Sequence, residues 1–276
     1  MEGHDVSLTR TIAGSVALLL VSARLGAAQV PDTSAKHRTP LLTHRELIIG
    51  GALVAGTVAL MPADDWFHAQ WGGRTLQSNS TLHGAADDFS LLGDPGTVIL
   101  TFGTYAVGRL AGKRTVASVG LHASEALLLS AAATELVKGV AGRNRPYLPS
   151  PDADDFTPLH GFTGAGHTSF PSGHTSAAFA VASVVAQEGT VHWPHAARFV
   201  TPASYGLATL VGRSRLYKDR HWTSDVLMGA IVGEYSGLVV ERYNQGHSHN
   251  PLERWLLPSA VAPTGNGGVA VVWALH

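Results

Sequence analysis

The sequence predicts an all-α protein, a bundle of about six core helices, and two observations lead to this class. Hydrophobic residues make up 45% of the 276 residues and charged residues only 14%, whereas charged residues usually make up about 25%. Apolar stretches of helical length alternate with turn-rich segments and show little of the two-residue alternation typical of strands. The chain therefore either buries most of its apolar residues or exposes many of them to lipid.

The N-terminus has the pattern of an export signal. Arg10 precedes an apolar run over residues 12–21, and the small residues Gly26-Ala27-Ala28 follow it. This order is typical of a cleaved signal peptide, and the run is too short for a comfortable membrane span. We predict a signal peptide over residues 1–28, a polar lead-in over 29–44, and a location in the periplasm or cell envelope.

The predicted helical domain covers residues 45–246. Its six core helices are expected at Leu47–Met61, Thr97–Leu110, Val116–Val140, Thr175–Gln187, Phe199–Val211 and Asp225–Tyr243. The longest of these carries His122, Glu125 and Glu135, which are expensive in a bilayer. The pattern therefore leaves both a soluble and a membrane-embedded bundle open.

The last residues, 247–276, form a tail of different character. The segment "WLLPSAVAPTGNGGVAVVWALH" has two apolar runs around a Gly/Asn turn, which predicts a β-hairpin. Because a lone hairpin is marginally stable in water, we expect it to pack on the bundle, pair with a partner or touch a membrane.

Composition excludes several classes of function. The chain has no cysteine, so thiol catalysis, disulfides and Cys-based zinc sites are ruled out. Its net charge is −1 with the 15 histidines neutral, which provides no basic field to attract nucleic acid. We expect no nucleic-acid partner.

The segment "KGVAGRNRP" holds the first group of candidate site residues. Lys138 and Arg145 lie seven residues apart, about two helical turns, where a helix ends at Gly142 and Pro146. Both cations can then point to one side. Alone, the pair could equally complement the dipole of a helix C-terminus.

The second group is in "SFPSGHTS". Pro171 ends the preceding segment, Ser172 can serve as an N-cap, and Gly173 allows a close backbone approach. The start of the next helix would then present free N–H groups to an anion. His174 would stand beside that anion as a proton donor. An ordinary helix cap with a bystander histidine is the alternative.

The third group is in "SRLYKDRHWTSD". His221 and Asp225 are four residues apart, so on one helix the carboxylate can accept the Nδ1 proton and leave Nε2 free as a nucleophile. Arg215 supplies a planar fork for phosphate oxygens. The alternative is a surface His–Asp pair.

Together the three groups can form a single catalytic site. Lys138, Arg145 and Arg215 neutralise a tetrahedral oxyanion beside the Gly173 backbone. His221 attacks, Asp225 orients it, and His174 protonates the leaving group. No metal or other cofactor is expected, because three cations take the role that magnesium has in other phosphoryl-transfer sites.

The residues occur in the order Lys138-x6-Arg145-Pro146, Pro171-Ser172-Gly173-His174 and Ser214-Arg215-x5-His221-x3-Asp225. This order resembles the three-part signature of the type 2 phosphatidic acid phosphatase (PAP2) superfamily, which includes vanadium haloperoxidases. The likeness covers about residues 116–240. It implies a helical bundle and a covalent phosphohistidine on His221. It also implies phosphate contacts from Lys138, Arg145, Ser172, Gly173 and Arg215.

The predicted function is a metal-independent phosphoric monoester hydrolase that acts on a lipid phosphate such as phosphatidic acid, or a similar amphiphile, at a membrane surface. A small phosphomonoester is the alternative substrate. One alternative is a vanadate-dependent haloperoxidase, since a pocket that holds phosphate also holds vanadate. Another is a non-catalytic envelope protein that binds phosphorylated lipid through the same cations.

Other polar residues fit no ligand pattern. The loop residues Asp152, Asp154, Asp155, His160 and His167 are interpreted as part of a solvated flap. Asp64-Asp65 and Asp87-Asp88 are interpreted as loop or cap carboxylates, and His247 and His249 as residues of a polar turn.

Overall fold

The chain folds into a bundle of helices. A computed structural model describes residues 40–71, 79–246, 260–263 and 269–272. The helices are α1 His44–Leu60, α2 Asp64–Trp71, α3 Ser80–Leu91, α4 Thr97–Leu110, α5 Arg114–Ala141, α6 Gly173–His192, α7 Pro194–Tyr217 and α8 Thr223–Gly246. Short helical turns occur at Met61–Ala63, Leu92–Gly96, His160–Phe162 and Ala165–His167. The strands are β1 Ala260–Pro263 and β2 Val269–Val272.

Local sequence signals set several helix ends. Thr43 and Glu46 form a capping box at the start of α1, and the Asn79 side chain accepts two backbone N–H groups at the start of α3. At the C-terminus of α5, Gly142 has a φ of 60°, the left-handed conformation that glycine adopts at low cost. The chain therefore leaves α5 one turn after Lys138.

The centre of the bundle is formed by α5, α6 and α8. Buried residues of these three helices pack into one cluster, which includes Ala126, Val184 and Val240. A stripe of glycines at four-residue spacing, Gly229 and Gly233 among them, brings α8 close to α6. A Cβ on Gly233 would lie 2.2 Å from the Ser176 carbonyl oxygen. Small residues thus fix the spacing of the helices that carry the candidate site.

The all-α prediction is confirmed. Each predicted core helix is present, and most extend further than predicted because neighbouring turns continue the helix. Two short helices, α2 and α3, occupy a segment for which no helix was predicted. In the tail, β1 and β2 pair antiparallel, with Ala260 opposite Val272 and Pro263 opposite Val269, as the hairpin prediction requires. The predicted signal peptide, most of the lead-in, His247 and His249 lie outside the described residues.

Two helical segments are long and apolar enough to cross a membrane. They are His44–Gln70 and Arg114–Ala141. In the most apolar 18 residues of each segment, 11% and 50%, respectively, are buried inside the bundle. Large apolar side chains are exposed on many of the helices, including Ile48 on α1, Ile99 and Leu110 on α4, Leu128 on α5 and Phe199 on α7. Exposed apolar area this extensive is typical of a surface that contacts lipid or protein.

Candidate active site

The three predicted groups meet at one end of the bundle. Lys138 lies in the last turn of α5, His174 in the first turn of α6, and Arg215 in the last turn of α7. His221 precedes α8 by two residues. The connection from Gly142 to Ser172 crosses this end and supplies Arg145 and Ser169. The helix termini therefore bring together residues more than 80 positions apart in sequence.

Lys138 lies against the N-terminus of α6. A Cβ on Gly173 would be 3.1 Å from the Lys138 Nζ atom, so only glycine leaves the ammonium this close to the helix start. Lys138 Nζ also donates to Glu135, one turn earlier on α5, at 2.5 Å. The Glu135 side chain is exposed, which allows a bound anion to compete for the ammonium.

The two arginines approach from the opposite side. Arg145 donates to the Thr168 carbonyl at 3.0 Å and to the Arg220 carbonyl at 3.2 Å. Arg215 donates to Ser90 Oγ on α3 at 3.0 Å, while its buried Nε has no hydrogen-bond partner among the residues that the structure describes. Burial, followed by the charge of Arg145, lowers the pKa of Arg215 to about 10, so the guanidinium remains charged at neutral pH. An anion would satisfy the Nε donor and offset the repulsion between the arginines.

The start of α6 has no side-chain cap. Ser172 is at the N-cap position, as predicted, but within the described part of the chain its side chain makes no capping hydrogen bond to the first N–H groups of the helix. The Ser172 hydroxyl pairs instead with Thr175 Oγ1 at 2.9 Å. The N-terminus of this 20-residue helix therefore keeps backbone donors for an anion next to Lys138.

His221 is held by a backbone carbonyl rather than by Asp225, which corrects the predicted contact. Its Nδ1 lies 2.7 Å from the Ser169 carbonyl oxygen and 3.6 Å from Asp225 Oδ2. The reason is that α8 begins at Thr223, so His221 and Asp225 do not share a helical face. Since a carbonyl only accepts, Nδ1 carries the proton and Nε2 keeps a free lone pair.

Asp225 acts on His221 through Ser169. Its Oδ2 accepts hydrogen bonds from Ser169 Oγ at 2.5 Å and from the Trp222 N–H at 2.8 Å. Burial alone raises the pKa of Asp225, but neighbouring His221 and Arg143 together bring it below its usual range. The carboxylate is therefore ionised and fixes the segment whose carbonyl orients the imidazole.

A buried arginine completes this support, and the sequence interpretation missed it. Arg143 donates to Asp225 Oδ1 at 2.6 Å and to Asp64 Oδ2 at 2.8 Å, with 0% of its side chain exposed. Its guanidinium lies 4.9 Å from the centroid of the Phe156 ring and 5.6 Å from that of Trp222. Asp64, interpreted from the sequence as a loop or cap carboxylate, is the first residue of α2 and a buried ion-pair partner of Arg143. Arg143 lies inside the "KGVAGRNRP" segment, but no sequence spacing indicated its two partners.

The site is strongly electropositive around His174. Burial, and then the charges of Arg215, His221, Lys138 and Arg145, lowers the pKa of His174 to about 3. Burial is also the largest cause that lowers the pKa of His221, to about 4, although Asp225 opposes it. Both imidazoles are therefore neutral at neutral pH before an anion binds. A dianion among these cations would raise the pKa of His174.

The other loop residues do not converge on a metal site. Asp152 accepts the Asp154 N–H, and Asp155 accepts from Asn144. The His160 and His167 rings lie edge to face with centroids 5.7 Å apart. Within the described part of the chain, none of the five belongs to a group of three converging ligand atoms.

Fold and site together define a helical bundle that gathers three cations and two histidines at one end. Residues 120–248 match the model of the PAP2 superfamily. The match covers 129 of the 276 residues and includes all three groups of motifs that carry the resemblance.

Comparison with individual proteins gives three similarities. A lipid A 1-phosphatase of Porphyromonas gingivalis is 43% identical over 70 residues, a stretch that spans 25% of this chain and 15% of that protein. The crystal structure of Aquifex aeolicus LpxE matches with 22% identity and a TM-score of 0.48, covering 64% of this chain and 93% of that one. A transmembrane PAP2 type phosphatidylglycerolphosphate phosphatase from Bacillus subtilis matches with 20% identity and a TM-score of 0.40, covering 84% and 96%.

Proposed function

We propose that this protein is a phosphatase that hydrolyses the phosphate monoester of a lipid through a phosphohistidine on His221. The observation that carries the proposal is the orientation of His221. Its Nδ1 is engaged by the Ser169 carbonyl at 2.7 Å, which leaves the Nε2 lone pair free, and the charges of Arg145 and Arg215 act on the ring. The match of residues 120–248 to the PAP2 superfamily supports the same class of reaction.

The reaction has two steps. In the first, His221 Nε2 forms a bond to phosphorus, the P–O ester bond breaks, and His174 gives its proton to the departing oxygen. In the second, water attacks phosphorus, His174 accepts a proton from that water, and the N–P bond breaks to release inorganic phosphate. Lys138, Arg145, Arg215 and the N-terminus of α6 stabilise the charge on the phosphoryl oxygens in both steps. No metal takes part in this scheme.

The substrate class is an amphiphile at a membrane surface. Large apolar side chains lie exposed near the pocket, with Tyr147, Leu159 and Phe162 on the connection from α5 to α6. These can contact acyl chains or the membrane boundary while the phosphate enters the cationic pocket. Phosphatidic acid is the first substrate to test, and the similarity to a lipid A 1-phosphatase adds a lipid A 1-phosphate.

The central test is phosphate release by the wild type and by His221→Ala. Substrates are phosphatidic acid, lipid A, a polyprenyl diphosphate and a soluble aryl phosphate, all assayed in detergent. We expect the variant to lose release from every substrate while its circular dichroism spectrum is unchanged. Acid-labile, alkali-stable labelling of the wild type by a radioactive substrate would identify the phosphohistidine. Full activity of the variant would overturn the nucleophile assignment.

The same assay separates the alternatives. A non-catalytic lipid-binding protein would release no phosphate in the wild type. A haloperoxidase would halogenate a dye in the presence of vanadate, peroxide and bromide. A chelator should leave the initial rate of phosphate release unchanged, since the three cations take the place of a metal.

Export is a separate part of the proposal. The signal pattern of residues 1–28 places the catalytic end outside the cytoplasm. N-terminal sequencing of the mature protein should then begin at Gln29. A mature protein that retains Arg10 and the apolar run would instead indicate an uncleaved segment.

A further inference from the structure

A second cluster of titratable side chains lies far from the candidate active site. His122 on α5, Glu188 on α6 and Glu241 on α8 are all buried, and one ligand atom of each lies within 4.8 Å of the others. His122 precedes Lys138 by four and a half turns of the same helix, so the cluster is about 24 Å from the phosphate-binding end. It joins the three central helices where nothing in the proposed reaction uses it.

The contacts direct the imidazole between the two carboxylates. His122 Nδ1 is 2.6 Å from Glu188 Oε1 and 3.4 Å from Glu241 Oε1. On the other side of the ring, Nε2 lies 3.4 Å from Ser118 Oγ, one turn earlier on α5. When Nε2 carries the proton and donates it to Ser118, Nδ1 has the lone pair that a metal ligand needs.

One carboxylate oxygen of the cluster is buried without a hydrogen-bond partner. Glu241 is 1% exposed, and its Oε1, which faces His122, has no hydrogen-bond partner in the described part of the chain. His192 meets Glu188 Oε2 at 2.9 Å from the partly exposed side, and Arg242 turns away to pair with Glu46 on α1. Burying an uncompensated carboxylate is costly unless a cation joins it.

We propose that His122, Glu188 and Glu241 bind a divalent transition metal ion, such as Zn²⁺ or Mn²⁺, that ties α5, α6 and α8 together. One imidazole and two carboxylates form a ligand set that these ions accept, and bundle cores build metal sites from Glu and His on facing helices. Two ligands each about 2.1 Å from a tetrahedral ion are about 3.4 Å apart, which matches the separation of Nδ1 from Glu241. As the ion binds, the Nδ1 proton leaves to solvent and Glu188 Oε1 moves outward from its hydrogen-bonding distance.

Metal content and thermal stability test this site. The full chain, without a polyhistidine tag, is purified in detergent, stripped with a chelator, reloaded with Mn²⁺ or Zn²⁺ and desalted. We expect about one retained ion per chain by mass spectrometry of the metal, and a higher Tm for the loaded protein than for the stripped protein, because the ion binds only the folded state.

Variants locate the ion. Glu241→Gln and His122→Gln should each abolish retention and the gain in Tm. Glu234→Gln is the matched control, because Glu234 is also buried on α8 but accepts from Tyr205 at 2.7 Å and lies about two turns away from Glu241. This control should bind as the wild type does.

Two results would overturn the site. Wild-type protein that retains no more metal than a buffer blank, with equal Tm when stripped and loaded, would show that the cluster is a buried ion pair only. Equal retention by the wild type and Glu241→Gln would place the ion elsewhere. Neither result bears on His221, because the initial rate of phosphate release well below the Tm should be the same for stripped and loaded protein.

Discussion

At the scale of single residues, Arg143 has the largest structural consequence in the site. It is the buried counter-charge for both Asp64 and Asp225, at 2.8 and 2.6 Å. Asp225 in turn fixes Ser169, whose carbonyl fixes His221. The orientation of the nucleophile therefore depends on an arginine that does not touch it.

Arg143→Met should destabilise the protein by about 3–5 kcal/mol, because it leaves two carboxylates buried without a cation. Chemical unfolding in detergent measures the change. Arg242→Met is the matched control: its pair with Glu46 is partly exposed and should be worth about 1 kcal/mol or less. Adding Asp64→Asn to Arg143→Met should recover part of the loss, since the two residues are in contact. Equal effects of the two arginine variants would contradict this account.

Arg215→Ala should lower kcat/KM by about 10²–10³-fold, the usual cost of losing one donor to a developing oxyanion. Among the neighbouring charges, that of Arg215 lowers the pKa of His174 most, so the same substitution should let that pKa rise towards its ordinary value. Steady-state kinetics and histidine NMR chemical shifts measure the two effects. A change in KM alone, with kcat unaltered, would instead assign Arg215 to ground-state binding.

The pH dependence follows from the two histidines. His221 attacks only when neutral, and its pKa is about 4, so the acid limb of kcat/KM should lie near pH 4 instead of near the ordinary histidine value of about 6.5. His174 is neutral in the free site, with a pKa of about 3. The proton that it donates therefore arrives with the substrate monoanion, and the alkaline limb should follow the second pKa of the phosphate, about 6.

Aryl phosphates with different second pKa values check this assignment. The alkaline limb should move with the substrate while the acid limb stays in place. An alkaline limb that is the same for all substrates would assign it to a group of the protein.

At the scale of elements, the N-terminus of α6 is defined by how closely its neighbours approach. Gly173 and Gly229 both sit at this point, but a side chain would meet different atoms at each. A Cβ on Gly173 would lie 3.1 Å from Lys138 Nζ, the end of a flexible chain, whereas a Cβ on Gly229 would lie 2.5 Å from the Ser172 carbonyl oxygen. The close approach at Gly173 therefore serves anion binding, whereas the close approach at Gly229 serves the packing of α8 on α6.

Gly173→Ala should therefore weaken phosphate binding with little change in Tm, because Lys138 can move aside but then leaves the helix terminus. Gly229→Ala should lower the Tm, because the carbonyl oxygen is part of the backbone and cannot yield. Inhibition by inorganic phosphate and thermal unfolding, measured on both variants, separate the two effects. The assignment fails if Gly173→Ala lowers the Tm as much as Gly229→Ala does.

The sequence predicted these elements where its signals were local. Six apolar stretches indicated the core helices, and Gly142 indicated the end of α5 through its own conformational preference. The short helices α2 and α3 were missed because their segment is rich in polar and turn residues. Partners distant in sequence were missed for another reason: Arg143 meets Asp64 from 79 residues away, and no periodicity encodes such a contact. The predicted hydrogen bond between His221 Nδ1 and Asp225 was wrong because the prediction assumed that α8 begins before His221.

At the scale of the whole molecule, two ends of one bundle carry two different clusters. α5, α6 and α8 each contribute to the cationic pocket at one end and to the His122 cluster at the other. The far cluster contacts none of the residues assigned to phosphate binding, so it bears on how the three helices are held together and not on the chemistry in the pocket. The outer helices α1 and α4 instead present much of their apolar surface outward.

That outward surface predicts firm association with membranes. Ile48 and Ile99 are 71% and 68% exposed, and Leu110 is 88% exposed, an arrangement that costs free energy in water at about 25 cal/mol per Å² of apolar surface. Cells that express the full chain should retain it in the membrane fraction after high salt and alkaline carbonate, and release it with detergent. A soluble periplasmic marker from the same cells, released without detergent, is the control. Release of the protein by salt would instead indicate that a protein partner, or a second copy of this chain, covers these helices.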